Sequence, residues 1–255
     1  MAITISITLQ KGGIGKTATA QALASTLGFK NKKVLLIDLD SQCDVTYFSG
    51  IDNPKYTIYD VLGDGCKPDE ALIQCKYYDL LPAASDLTKV EMSEEIEPTL
   101  LRDALKNIKN NYDFVILDTP PQLGNLSFNA LVASDHVVIP SEPRPAALRG
   151  MKRLNNTIQT IQKRLNPSLK VLGIVLIKYS NRTVLNRDIK SMIEDYAKEM
   201  HTTVFTTTIR EGVAVAEAQT VREPLIDYAK SSKPNIDYKG FTSELLQKIG
   251  VWEHG

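Results

Sequence analysis

The run Gly12-Gly13-Ile14-Gly15-Lys16-Thr17, inside ITLQKGGIGKTATA at residues 7–20, holds the groups needed to grip a polyphosphate. Glycines reach backbone angles closed to other residues, so successive N–H groups can converge on an anion at the positive end of a helix. Lys16 adds a point charge for β- and γ-phosphates, and Thr17 offers a hydroxyl to Mg²⁺. The usual spacing G-x-x-x-x-G-K-[ST] is nevertheless not met, because Gln10 stands where its first glycine belongs. A second lysine, Lys11, sits where that pattern requires none. The residues alone admit a chance glycine turn, a damaged phosphate loop or a loop built for another job.

Carboxylates appear where phosphate chemistry would use them. The run VLLIDLDSQCD delivers Asp38, Asp40 and Asp44 at the end of an apolar segment, and FVILDTPP ends another in Asp118. Ligands bind beyond the carboxyl ends of the strands in open α/β sheets. Asp118 is there a candidate to support Mg²⁺ through water.

The elements that must position these groups follow from hydrophobic periodicity. Strands are expected at Ile3–Leu9, through KKVLLIDLD, and at 78–83, 113–119, 135–140, 170–179, 202–207 (TTVFTT) and 224–228 (PLIDY). Helices are expected at about Thr17–Leu27, 99–109, 146–165, 186–200 and Thr242–Ile249. This alternation, with strands apolar on both faces, predicts a doubly wound, mostly parallel β-sheet flanked by helices. No linker or repeat interrupts it, so residues 1–255 are read as one domain.

Composition narrows the function classes. With 43% hydrophobic and 24% charged residues, the chain resembles an ordinary soluble globular protein. No apolar run approaches the roughly 18–20 residues of a membrane span, and the N-terminus lacks the basic region of a signal peptide. Cys43, Cys66 and Cys75 form no C-x-x-C pair and read as free thiols of a reducing compartment, so a cytoplasmic location is expected. His136, His201 and His254 are isolated in sequence, which disfavours a metal site built on them. Formal charge is zero but uneven: residues 1–140 hold 12 Lys and Arg against 18 Asp and Glu, and residues 141–255 hold 18 against 12. The halves therefore carry −6 and +6, which hints at an anionic partner for the second.

Together these segments resemble the ParA/MinD family of phosphate-loop ATPases, the deviant Walker A group of SIMIBI-type NTPases. That family's variant loop, K-G-G-x-G-K-[ST], matches Lys11-Gly12-Gly13-Ile14-Gly15-Lys16-Thr17. VLLIDLDSQ and VILDTPP resemble its second and third motifs. DLLPAASDL, VIPSEPRPAALRG and TTIREGVAVAEAQTVREPLIDY resemble further ParA segments. The resemblance implies ATP and Mg²⁺ as cofactors, a loop of Lys11 to Ala18 around the phosphates, and ATPase activity. It implies that Asp40 positions the attacking water and sits at the metal with Thr17 and Asp118. It also implies that Lys11 reaches across an ATP-sandwiched homodimer to the partner's nucleotide. Three positions depart from the family: Ser41 replaces a proline, Ala18 a second threonine, and Gly212 a frequent asparagine.

Within the family, Gln10-Lys11 is similar to ParA/Soj proteins, whereas MinD and the nitrogenase iron protein carry glycine before the signature lysine. No cysteine follows Cys75, which disfavours an iron–sulfur cluster, and the C-terminal FTSELLQKIGVWEHG is poor in basic residues for a membrane-binding helix. The implied function is DNA partition, with ATP-dependent, non-specific binding to nucleoid DNA and hydrolysis stimulated by a ParB-like centromere-binding protein. Candidate DNA contacts are Arg182, Arg210, Arg222, Lys230 and Lys233. Nine residues precede Gln10, so no helix-turn-helix domain is expected ahead of the loop. Positioning of a protein cargo, or MinD-like action at a membrane, are the alternatives.

Overall fold

Strands that are apolar on both faces must be covered on both faces, and the chain alternates to supply those covers. A computed structural model describes residues 2–63 and 65–251. In chain order its elements are β1 (Ile3–Ile7), α1 (Lys16–Phe29), β2 (Val34–Asp38), α2 (Asp44–Phe48), α3 (Ile58–Leu62) and α4 (Pro68–Ala71). There follow β3 (Ile73–Gln74), β4 (Asp79–Leu81), α5 (Leu87–Met92), α6 (Leu100–Ala104), β5 (Phe114–Asp118), α7 (Asn125–Ala133) and β6 (His136–Ser141). The chain continues through α8 (Ala146–Arg164), β7 (Lys170–Leu176), α9 (Val184–Glu199), α10 (Ala214–Val221), α11 (Leu225–Tyr228) and α12 (Lys233–Lys248).

The strands form one sheet in the order β3-β4-β2-β5-β1-β6-β7, parallel except for the short β3. Alternate strand residues feed two cores. Ile5, Ile7, Leu36 and Ile116 pack with Leu23 and Leu27 of α1 and Phe241 and Leu245 of α12. Leu35, Ile37, Val115 and Leu117 pack with Ile58 of α3, Leu87 of α5, Leu101 of α6 and Leu126 of α7. β1 lies between β5 and β6, so the loop after β1 emerges at the middle of the sheet's carboxyl edge.

Four expected elements differ. PLIDY is helix α11, because Pro224 starts a helical turn and Asp227 is held by Lys76 Nζ and Tyr77 Oη, each at 2.8 Å. TTVFTT adds only an isolated bridge beside β7, from Val204 to Ile174, and Ile209 beyond it adds another to Ile177. The helix expected at 99–109 breaks into α6 and a 3₁₀ turn at Ile108–Asn111, while Leu101, Leu105 and Ile108 stay buried. The expected C-terminal helix begins earlier, at Lys233, where Ser232 Oγ accepts the Asn235 N–H.

Close packing of α1 on the β3–β4 turn yields a stability prediction. A Cβ at Gly28 would stand 1.8 Å from the backbone oxygen of Tyr77. Gly→Ala inside a helix normally gains about 1 kcal/mol, but a backbone carbonyl cannot rotate away. Overpacking should win, at about 3 kcal/mol. Gly28→Ala is expected to lower the melting temperature by roughly 6–12 °C, and an unchanged melting curve would refute this packing.

Candidate nucleotide site

The loop from β1 to α1 adopts the shape its glycines allow. Gly13 and Gly15 take left-handed angles, at φ 70° and 76°, and Gly15 caps α1. A side chain at Gly15 would also press Ile177 Cδ1, at 3.0 Å. The missing glycine is no defect, since Gln10 only leads out of β1 and its Oε1 accepts from Arg153. Lys16 is buried and its ammonium donates to the Lys11 carbonyl at 2.9 Å. Burial pulls that ammonium below its ordinary range, and Asp118 and Asp40 oppose the shift. The loop thus carries a partly desolvated cation aimed inward, which a phosphate can take over.

The acids divide into distinct roles. β2 and β5 run in register, so Asp38 and Asp118 end side by side. Asp38 is fully buried and accepts from the Thr46 hydroxyl at 2.7 Å, the Thr46 N–H at 2.9 Å and the Asp40 N–H at 3.1 Å. Burial pushes its carboxyl up to about 6. It is a buckle that holds α2 to the sheet. Asp40 closes the following turn, accepting from the Gln42 N–H at 3.0 Å, while its carbonyl accepts from Cys43 N–H at 2.9 Å. The turn is therefore tied by Asp40 itself without the proline that Ser41 replaces.

Asp118 accepts the Thr17 hydroxyl at 2.7 Å through Oδ2, and its buried Oδ1 has no hydrogen-bond partner. Burial and the neighbouring Asp38 charge hold its carboxyl well above the usual carboxylate range. A buried carboxylate oxygen left over beside a threonine hydroxyl is a donor set for a hard cation. Among the described residues no group of three or more His, Cys, Asp or Glu side chains could hold a metal by itself. The arrangement fits Mg²⁺, which keeps several waters and takes its remaining ligands from substrate phosphates.

A cleft of about 620 Å³ opens over the loop. Its floor is Gly12, Gly13, Gly15, Lys16, Thr17 and Asp40, and its far wall is Ile177, Ile209–Val213, Val215 and Ala216. One end is thus cationic and rich in backbone N–H groups, and the other is apolar except for Arg210 and Glu211. Gly212 is explained here, because a Cβ would stand 2.8 Å from Pro234 Cγ.

Beside the cleft, Glu142 is buried at the end of β6 among three cations. Lys178 Nζ and Arg144 Nε lie 2.8 Å from its carboxylate and Lys11 Nζ 3.7 Å. Burial alone would raise its carboxyl, but Lys178, Arg144 and Lys11 outweigh that and hold it below its ordinary value. Lys178 also reaches the Gly13 carbonyl at 3.3 Å. Sequence reasoning missed Glu142 and Lys178. Their one signal was charge following apolar strands at the carboxyl edge.

This geometry matches that of known proteins. A family model for an AAA domain, AAA_31, matches residues 2–171. The sporulation initiation inhibitor protein Soj of Bacillus subtilis is 37% identical over 250 residues, covering 94% of this chain and 97% of that one. The chromosome partitioning protein ParA of Myxococcus xanthus is 34% identical, covering 96% of this chain and 88% of that one. The chain belongs to the ParA/Soj family of ATPases. A solved structure, cobyrinic acid a,c-diamide synthase of Mycobacterium smegmatis with bound ADP and magnesium, superposes with a TM-score of 0.84 at 29% identity. That superposition covers 99% of this chain and 98% of the other.

The nominated DNA contacts of this ParA/Soj member have different settings. Arg182, Lys230 and Lys233 are exposed. Arg210 lines the cleft and holds Asp237 with two hydrogen bonds, from Nε at 2.8 Å and Nη2 at 2.6 Å. Arg222 lies over the Tyr47 ring at 4.5 Å and donates to the Tyr47 carbonyl at 2.7 Å and Asp52 at 2.9 Å. Both guanidiniums thus hold together parts of their own fold. The three cysteines are free thiols, as expected. Among the described residues no helix is long and apolar enough to cross a membrane.

Proposed function

We propose that this ParA/Soj member is an ATP-driven switch for DNA partition. One observation carries the reading: the loop holds two lysines with opposite settings. Lys16 is buried and lines the cleft, whereas Lys11 lies outside the cleft lining, its side chain 32% exposed and resting on Glu142. A lysine outside its own phosphate nest is placed to meet the nucleotide of a second copy, the trans role that the family resemblance implies. The relatives named for chromosome partitioning and the neighbour holding ADP and magnesium support the same assignment.

In this mechanism Lys16 gives up the Lys11 carbonyl for the β- and γ-phosphates of ATP. Thr17 and Asp118 would hold Mg²⁺, which when bound would neutralise charge on those phosphates. Asp40 orients the attacking water from the carboxyl edge. Lys11 leaves Glu142 and crosses to the partner's nucleotide, stabilising developing charge as an arginine finger does. The ATP dimer binds DNA without sequence preference, and a ParB-like protein stimulates hydrolysis and release. Helix α12 buries Phe241, Leu245 and Leu246, as a packing helix does, which favours DNA over a membrane as the anionic surface. Residues Trp252–Gly255 at its end lie outside the described residues.

Gel shift with random duplex DNA in ATP, ADP and no nucleotide tests the switch. Binding is expected only with ATP and should fall steeply with salt. Equal binding in all three states would overturn it.

A further inference from the structure

The steepest charge imbalance in the chain includes only one of the residues nominated as DNA contacts, Arg182. Between Glu142 and Asp188 there is no acidic residue, but there are ten basic ones. Five of these, Arg149, Lys152, Arg153, Lys163 and Arg164, lie on α8, and all five are exposed. The helix turns its apolar side wholly inward, burying Ala147, Met151, Leu154, Ile158 and Ile161. At 100° per residue, Arg149, Lys152, Arg153, Asn156, Gln159, Thr160 and Lys163 share a stripe roughly 120° wide. From Arg149 to Lys163 the stripe runs about 20 Å.

No acid answers these cations. Among the described residues no ion pair involves Arg149, Lys152, Arg153, Lys163 or Arg164. The lysines of α9 behave otherwise: Lys190 pairs with Glu194 and Lys198 with Asp195 inside the same helix. A row of like charges raises the free energy of the unbound surface, and an anionic partner relieves it. The stripe's composition decides what kind. It offers no exposed aromatic or large aliphatic side chain to anchor a protein partner or to enter a bilayer. It consists of Arg, Lys, Asn, Gln and Thr, side chains that all contact phosphate oxygens. About 20 Å spans roughly six phosphates of one strand at 3.4 Å each.

We infer that the outer face of α8, from Arg149 to Lys163, is the principal surface on which this protein holds the phosphate backbone of duplex DNA. This inference rests on the partition reading above and specifies its contact surface. Arg182, Lys230 and Lys233 are then flanking cations, and Arg210 and Arg222 serve the fold.

The test uses full-length protein with ATP and a random-sequence duplex, with fluorescence anisotropy read across a salt series. A triple variant, Arg149→Gln/Lys152→Gln/Lys163→Gln, is compared with the α9 variant Lys190→Gln/Lys198→Gln, and dimerisation with ATP is measured for both. The α8 variant should still dimerise, lose at least about tenfold in affinity, and flatten the dependence of log K on log salt by about one unit per residue removed. The α9 variant should keep wild-type affinity to within about threefold. Incorporating a photo-crosslinking residue at Gln159 should yield a DNA adduct only with ATP, which checks contact without removing charge. Unchanged affinity and slope in the α8 variant would overturn the α8 surface and leave the partition reading standing. So would equal losses in both variants. If the α8 variant binds DNA normally but no longer responds to a DNA-bound stimulator protein, the helix serves that protein instead. If wild-type protein binds no DNA in any nucleotide state, both readings fall together.

Discussion

Lys11→Ala should bind ATP almost as wild type does, yet fail to dimerise and turn over at least about 10²-fold more slowly. The binding half follows from position. Lys16, the N–H groups of the glycine loop and Thr17 form the nest, while the Lys11 ammonium lies on Glu142, 3.7 Å away, and donates nothing to it. Its loss should change ATP affinity by less than about threefold. The fold should hold too, because Glu142 keeps Lys178 and Arg144 at 2.8 Å. The catalytic half follows from charge: a cation supplied in trans to a transferring phosphoryl group is worth about 10³–10⁵ in rate. Isothermal titration with ATP, sedimentation with and without ATP, and phosphate release separate the three properties. Dimerisation of Lys11→Ala at wild-type affinity would overturn the account, since Lys11 would then be an ordinary surface lysine.

The loop and its acids could be read from sequence because their meaning is local. Gly12 to Thr17 lie next to the strand and helix that define them, and Asp40 and Asp118 each end an apolar run. The sheet followed for the same reason: β2, β5, β6 and β7 are largely apolar segments that two-sided burial explains, while β1 alternates Ile with Thr and Ser. What escaped depends on partners far along the chain. Glu142 acquires its role from Lys11 and Lys178, which are separated from it by 131 and 36 positions. Arg210 and Arg222 looked like free cations until Asp237, Tyr47 and Asp52 were brought to them. PLIDY has a strand's composition, but Pro224 and the grip on Asp227 make it helical. The α8 face was missed differently. Its helix is legible in the periodicity, but a charge balance over half the chain hides what one surface carries. A net of +6 spread across helices whose lysines pair internally says little, whereas five unopposed cations on one helix say a good deal.

Asp40→Ala should give the complementary phenotype to Lys11→Ala: an ATP dimer that forms and does not reset. A positioned group that orients or deprotonates water contributes about 10²–10⁴ in rate, so turnover should fall by that factor while ATP-dependent dimerisation persists. The structure separates this effect from damage to the fold. Asp40 sits at the cleft floor, and its carboxylate accepts one backbone N–H, from Gln42. Removing that bond costs about 1 kcal/mol. Asp38, two residues earlier, is the contrasting case. Its carboxylate accepts three hydrogen bonds inside the core, so Asp38→Ala strands the Thr46 hydroxyl and N–H, at about 1–3 kcal/mol for each group left unpaired. The first variant should therefore melt near wild type and be catalytically dead, and the second should melt early. On DNA, Asp40→Ala with ATP should stay bound after excess ADP is added, where wild type dissociates as its ATP is consumed. Release of the variant at the wild-type rate would show that hydrolysis at Asp40 does not drive the switch.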